Sequence, residues 1–404
     1  MSDLVRKFAQ IGVENAPGQE GRQKEEELDI RGEPLAGTPV DFSHGDVDAH
    51  EPPPGAFEAF RKGFERGAPQ AYTEYRGGRH TREDVAAKLA DFTGASIDPA
   101  SELIITPGTQ GALFLAMGAL VGQGDKVAVV EPDYFANRKL TLFFGGKIVP
   151  VRMKFLESNM GAGLDLAGLE DAFKSGVKLF LFSNPNNPTG AIYSESEIRT
   201  VASLAKHYGV ALIVDELYAR QIFDNRPYTH LCAQQDKPDT LITILGPSKT
   251  ESLSGFRLGA AFGSTYIIDR MERLQAIVSL RAGGYNQPVL DTWFMEPQGW
   301  LEKRIAAHRA IRDDLLKIVR AVDGVKVRAT EGGSYLFIRL PAMDVSMLDF
   351  VKIVRKLAGV AVTPGTEFGP RFTNWFRINF SQNHEAAVAA VERLLVVFNR
   401  YRSS

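Results

Sequence analysis

The sequence is poor in the features that would place it outside ordinary globular chemistry. It contains one cysteine, Cys232, so no disulfide can form within the chain, and a reducing cytoplasm is the compartment that fits. No apolar run approaches the roughly 18 residues a membrane helix needs. The start, MSDLVRKFAQ, lacks an uninterrupted apolar core, so no signal peptide is expected. The formal net charge is only -2, which argues against a nucleic-acid partner held by electrostatics. The seven histidines and the lone cysteine show no metal-ligand spacing. No repeat or long low-complexity tract is present. What remains is a chain of 404 residues, 44% hydrophobic and 24% charged, long enough for two or three domains.

From about residue 100, short apolar runs rich in β-formers recur: ELIITPG, DKVAVVEP, GKIVPVRM, VKLFLFSNP, VALIVDE, LITILGP and GAAFG. Segments of helical period lie between several of them, among them GALFLAMGALVG and SESEIRTVASLAKHYG, where Ile198, Val201, Leu204 and Ala205 share a face. Unalternated apolar strands joined through helices predict an α/β fold with a mostly parallel sheet covered on both sides. After Gly299 a long helical stretch, short strands (VKVRAT, SYLFIRLP, VAVTPG, FRINFS) and a last helix (HEAAVAAVERLLVVFNRY) read as a smaller α+β domain. The expected division is an N-terminal arm at 1–40, a small domain from 41–60 with 296–404, and a large domain at 61–295. Within the arm, LVRKFAQIGV has the spacing of a short amphipathic helix, and GQEGRQKEEELDIRGEP reads as a charged, glycine-broken surface loop.

In open parallel sheets, ligands bind beyond the carboxyl ends of the strands. Those exits carry TPGTQGAL, EPDYFANR, SNPNNPTG, DELYAR and GPSKTESLSGFR. Each has a plain structural reading: a strand-to-helix turn, a polar turn, an aspartate as helix cap, a surface lysine. Lys249, however, ends a five-residue apolar strand inside a Gly/Ser loop, where an amine can act as a nucleophile. A glycine at a helix start offers free N–H groups to a phosphate. Together the exits supply a phosphate cradle, an acid, a polar turn and an amine. Pyridoxal phosphate needs all of these: a lysine for its aldehyde, a carboxylate for its ring nitrogen, donors for its phenolate oxygen and an aromatic for its ring face.

The motifs SNPNNPTG (183–190), VDELY (214–218), GPSKTESLSGFRLG (246–259) and FRINFS (376–381) resemble those of the fold type I pyridoxal-phosphate enzymes, specifically the class I/II, aspartate-type aminotransferases. The resemblance runs from about residue 40 to the C-terminus. It implies a seven-stranded, mostly parallel sheet and a homodimer with shared active sites. Lys249 would be the Schiff-base lysine and proton carrier. Asp215 would pair with the pyridine nitrogen, and Asn187 and Tyr218 would bond the phenolate oxygen. Gly108, Thr109, Gln110, Ser248 and Arg257 would hold the phosphate, with Tyr72 reaching the partner subunit's phosphate. Tyr134 would stack on the ring. Arg377 would bind the substrate α-carboxylate, and Gly45 would lie where the N-terminal segment passes the substrate. Arg281, four residues before Tyr285, resembles the arginine that meets a distal carboxylate across the dimer, which favours a dicarboxylic amino acid. Glu74, Glu131 and Asp46 would equally suit a basic side chain.

The expected activity is transfer of an amino group from an L-amino acid to a 2-oxo acid by a ping-pong path. A lyase, a cyclopropane-type synthase or an oxidase would keep the same cofactor residues. A regulator built on the same domain would need a DNA-binding segment, and residues 1–40 show neither a helix-turn-helix pattern nor a basic face. GPSKT lacks P-loop spacing, and GAGLDLAG does not fit GxGxxG.

Overall fold

The computed structural model describes residues 3–12, 28–158 and 160–403; the charged loop expected at 18–34 therefore lies outside the described residues up to position 27. The chain enters through α1 (Asp3–Ile11), β1 (Val40–Asp41), α2 (Ala56–Glu65), α3 (Ala68–Ala71) and α4 (Arg79–Thr93). Seven strands follow: β2 (Leu103–Pro107), β3 (Lys126–Glu131), β4 (Lys147–Arg152), β5 (Leu179–Ser183), β6 (Ala211–Asp215), β7 (Leu241–Leu245) and β8 (Leu258–Gly263). They are the seven apolar runs of the sequence. Between and after them come α5 (Gly108–Leu120), α6 (Phe135–Phe143), α7 (Leu166–Lys174), α8 (Glu195–Tyr208) and α9 (Thr265–Val278).

The seven strands form one sheet in the order β2-β8-β7-β6-β5-β3-β4. Every neighbouring pair is parallel except those of β8, which runs antiparallel to β2 and β7. Side chains along each strand alternate between two cores. On β5, Phe180 and Phe182 enter one and Leu179 and Leu181 the other, all of them buried. Both faces are apolar because both are covered, which is why the sequence shows runs rather than alternation. Each such side chain contributes about 1.5–3 kcal/mol on burial. Helix ends follow local chemistry. Ser194 and Glu197 form a reciprocal cap at the start of α8, and Gly209, at φ 64°, ends it.

The rest of the chain adds α10 (Trp300–Arg320), β9 (Lys326–Val327), β10 (Tyr335–Arg339), α11 (Met347–Ala358), β11 (Val360–Ala361), β12 (Thr363–Pro364), β13 (Trp375–Asn379) and α12 (His384–Tyr401). A sheet ordered β12-β13-β10-β9 packs with α10, α11 and α12 around a third core, which Val40 and Phe42 join. Helix α11 is absent from the sequence reading, although Met347, Phe350, Ile353, Val354 and Leu357 carry its apolar face. The described parts of the arm touch both bodies. Gly12 O accepts from Lys139 Nζ of α6 at 2.6 Å, whereas Leu28 and Leu35 lie on the third core.

One buried pair makes stability depend on pH. His308 on α10 is 2% exposed and stacks on His50 with ring centroids 4.2 Å apart. Burial, reinforced by His50 and Arg304, depresses its pKa to about 3. The folded state keeps His308 neutral, while an unfolded histidine takes up a proton near pH 6.5. The stabilisation is complete above about pH 6.5 and is lost as pH falls from there towards 3. The urea midpoint is therefore expected to drop between about pH 7.5 and 5, with a smaller drop in His308→Gln; equal drops would exclude this source.

Candidate active site

A cavity of about 230 Å³ opens beyond the carboxyl ends of β5, β6 and β7. It is the place the parallel topology predicts, because loops leaving adjacent strands diverge there.

Strand β6 delivers Asp215 and β7 delivers Lys249, and both line this cavity. Asp215 Oδ1 accepts from the Leu217 N–H at 3.1 Å, and no cation among the described residues pairs with the carboxylate. Burial, together with the neighbouring Glu216 charge, raises its pKa to about 6. Such a carboxyl favours a cationic group in the cavity in front of it. Lys249 is half-buried, and among the described residues its amine has no hydrogen-bond partner.

At one end the cavity is built for an anion. Thr109 and Gln110, in the first turn of α5, line it together with Ser248 and Arg257. Gly108, at φ 76°, opens the helix, and a Cβ there would stand 2.5 Å from Arg257 Nη2. The positive φ favours glycine, and its missing Cβ leaves room for the guanidinium across the helix start. Arg257 itself has φ 53°, a strained conformation for a side chain of its size. Free N–H groups at a helix start and a guanidinium beside them make an anion cradle. Tyr134, at the start of α6, lines the cavity as well, and its hydroxyl donates to Gln110 Oε1 at 2.9 Å.

The opposite wall comes from β13. Arg377 is 2% exposed, yet it lines the cavity. Its Nη1 donates to Asn187 Oδ1 and its Nη2 to Ser43 O, each at 2.9 Å, and its Nε has no partner among the described residues. The guanidinium lies over the Tyr335 ring, 4.2 Å from the centroid. Because Asn187 Oδ1 serves Arg377, its Nδ2 is left to donate into the cavity. Tyr218 also lines it, with its hydroxyl 2.6 Å from that of Tyr335.

Three expected site residues lie elsewhere. Gly45 borders an adjoining outer pocket that Lys249 shares. Tyr72 and Arg281 lie together outside the cavity: Tyr72 is 78% exposed, and the Arg281 guanidinium stands 5.5 Å from its ring centroid. Of the three carboxylates weighed for a basic substrate side chain, Glu74 and Glu131 pair with Arg82 and Arg138 and do not line the cavity, whereas Asp46 borders the outer pocket beside Gly45 and Lys249. Ser43 and Tyr335 line it without having been foreseen. Ser43 stands two residues before Gly45 in the segment SHGDVD, and Tyr335 begins an expected strand, but neither side chain carries a signal of its own.

The family model for aminotransferase class I and II matches residues 38–394. The chain is 28% identical over 342 residues to an aspartate aminotransferase of Sulfolobus acidocaldarius, an overlap of 83% of this chain and 84% of that protein. Against the solved structure of an aspartate aminotransferase from Rhodobacter sphaeroides 2.4.1 it is 55% identical, with a TM-score of 0.94 over 99% of this chain and 100% of the other. The aspartate aminotransferase of Thermus thermophilus with maleate is 25% identical, with a TM-score of 0.83 over 98% and 100%. Nothing in these matches favours the lyase or oxidase alternative. The architecture, the cavity and this likeness over nearly the whole chain place the protein in the class I and II aminotransferases, with their fold type I α/β architecture, and its activity is aminotransfer.

Proposed function

We propose that the chain is a pyridoxal-phosphate-dependent aminotransferase that takes the amino group of a dicarboxylic L-amino acid, L-aspartate being the model donor, and passes it to a 2-oxo acid. The observation that carries this reading is that Lys249 and Asp215 line one cavity whose far end is an anion cradle: among the described residues the amine has no hydrogen-bond partner, and the carboxyl has no cation beside it, only the Leu217 N–H. The residues fit pyridoxal phosphate group by group. Asp215 would balance the charge on its ring nitrogen, and Gly108, Thr109, Gln110, Ser248 and Arg257 would hold its phosphate. Tyr134 would cover the ring, and Asn187 Nδ2 and the Tyr218 hydroxyl would donate to its phenolate oxygen. When bound, the group supplies an aldehyde that joins amino groups and a cationic ring that accepts electron density.

The chain's own residues do the rest. Arg377 would take the substrate α-carboxylate on its fork and fix the angle at which Cα is presented. Lys249 would remove the Cα proton and hold it for return, as a single base beside the substrate. The buried setting keeps water from that proton. For the distal carboxylate, Arg281 is proposed to act across a homodimer. Its guanidinium stands 5.5 Å and 5.3 Å from the exposed rings of Tyr72 and Tyr75, and exposed Ile277 and Leu280 precede it in the chain, apolar surface that fits an interface. The proposed division of the chain, 41–60 with 296–404 against 61–295, sets the cavity between two bodies, and the buried free thiol of Cys232 suits the cytoplasm.

The test is a single-turnover donor panel on the loaded enzyme. L-aspartate and L-glutamate are expected to discharge the visible absorbance and yield one 2-oxo acid per site. Ammonia release with retained absorbance would mean a lyase, and a preference for basic or apolar donors would refute the dicarboxylate assignment. Arg377→Lys keeps the charge but loses the fork, and is expected to raise KM for every donor on the order of 10- to 100-fold. A KM within about twofold of wild type would remove Arg377 from carboxylate binding.

A further inference from the structure

Tyr335 touches two of the residues assigned above. It is 5% exposed and lines the cavity. Its strand β10 is pinned by pairing with β13, where Tyr335 stands opposite Asn379, and its carbonyl accepts from Thr330 Oγ1. Its ring lies beneath the Arg377 guanidinium, and its hydroxyl meets that of Tyr218 at 2.6 Å.

A phenol carries one proton, so in this pair one hydroxyl donates and the other accepts. If Tyr218 donates into the cavity, its proton is committed there, and the proton between the two oxygens must come from Tyr335. The Arg377 charge over the Tyr335 ring favours that direction, because a cation at a phenol's face polarises its O–H bond and improves it as a donor. The other charged and titratable groups around the cavity are Asp215 and Lys249 at the ends of β6 and β7, Arg257 before β8, and Tyr134 at the start of α6.

We propose that Tyr335 is a positioning residue: by donating to Tyr218 Oη it turns the Tyr218 proton into the cavity and strengthens the bond that proton makes there. This rests on the reading that pyridoxal phosphate occupies the cavity.

The test uses the loaded wild-type, Tyr335→Phe, Tyr218→Phe and doubly substituted enzymes, and reads the pH midpoint of their visible absorption. A donor to the phenolate oxygen draws off charge that otherwise holds the neighbouring proton. A weaker donor therefore leaves the midpoint higher. Tyr335→Phe is expected to raise it on the order of 0.5 pH unit, Tyr218→Phe to raise it further, and the double variant to match Tyr218→Phe alone. An unchanged or lowered midpoint in Tyr335→Phe overturns the proposal, as does a shift that persists when Tyr218 is already phenylalanine. A wild-type sample with no visible band overturns the cofactor reading and this inference with it. A band with an unshifted midpoint overturns this inference alone.

Discussion

Lys249→Ala is expected to reduce kcat by at least about 10⁴-fold, because it removes the single group assigned to take and carry the substrate Cα proton. General acid–base catalysis alone is worth about 10²–10⁴-fold, and loss of the residue that anchors the cofactor adds to it. The fold should survive. The side chain faces a cavity rather than a core, and its amine satisfies no neighbour among the described residues. A small exogenous amine is expected to restore part of the rate, since the space left by the side chain is open to the cavity. Fast-reaction measurements with L-aspartate check this directly. A variant within tenfold of wild type would show that the proton is carried elsewhere.

Asp215→Asn is the second large effect, and it has two sides. Asparagine keeps the shape but cannot balance a cationic ring nitrogen. Loss of one preorganised electrostatic partner typically costs 10²–10³-fold in kcat, and a similar fall is expected here together with weaker retention of the cofactor. The unloaded chain should change in the opposite sense. A carboxyl raised in the fold from its usual 3.8 to about 6 contributes fully to stability below about pH 3.8 and loses that contribution as pH rises through 6. At neutral pH it is a buried charge without a cation beside it among the described residues, which costs on the order of 3 kcal/mol. Asparagine removes that cost, so unloaded Asp215→Asn should melt at a higher temperature than unloaded wild type above about pH 6, with the difference vanishing towards pH 4. Loss of activity without this gain in stability would mean that Asp215 is not strained by burial in the empty site.

How much of this the sequence discloses follows from what each feature depends on. The seven sheet strands are legible because each is buried on both faces, so every position is apolar and the run stands out between polar exits. Asp215 and Lys249 are legible for the same reason: each interrupts such a run at its carboxyl end. Asn187 and Arg257 are marked by turn-forming neighbours. Tyr335 is not legible, since its role comes from a strand more than a hundred residues after Tyr218 and a contact no local pattern encodes. Ser43 is hidden likewise, because its main-chain carbonyl, rather than its side chain, serves Arg377. Tyr72 and Arg281 are visible as residues but do not enter the cavity of their own chain. Helix α11 differs from these: its apolar spacing is present in MLDFVKIVRKLA, in the same pattern that marks the other amphipathic helices.

Every role assigned in the cavity depends on a covalent link between the Lys249 amine and pyridoxal phosphate. The most direct measurement is to load the purified chain with pyridoxal phosphate, reduce it with borohydride, digest it and locate the added mass by peptide sequencing. One label per chain on Lys249, absent from Lys249→Ala, is the predicted result. Label scattered over surface lysines, or none retained after reduction, would contradict it.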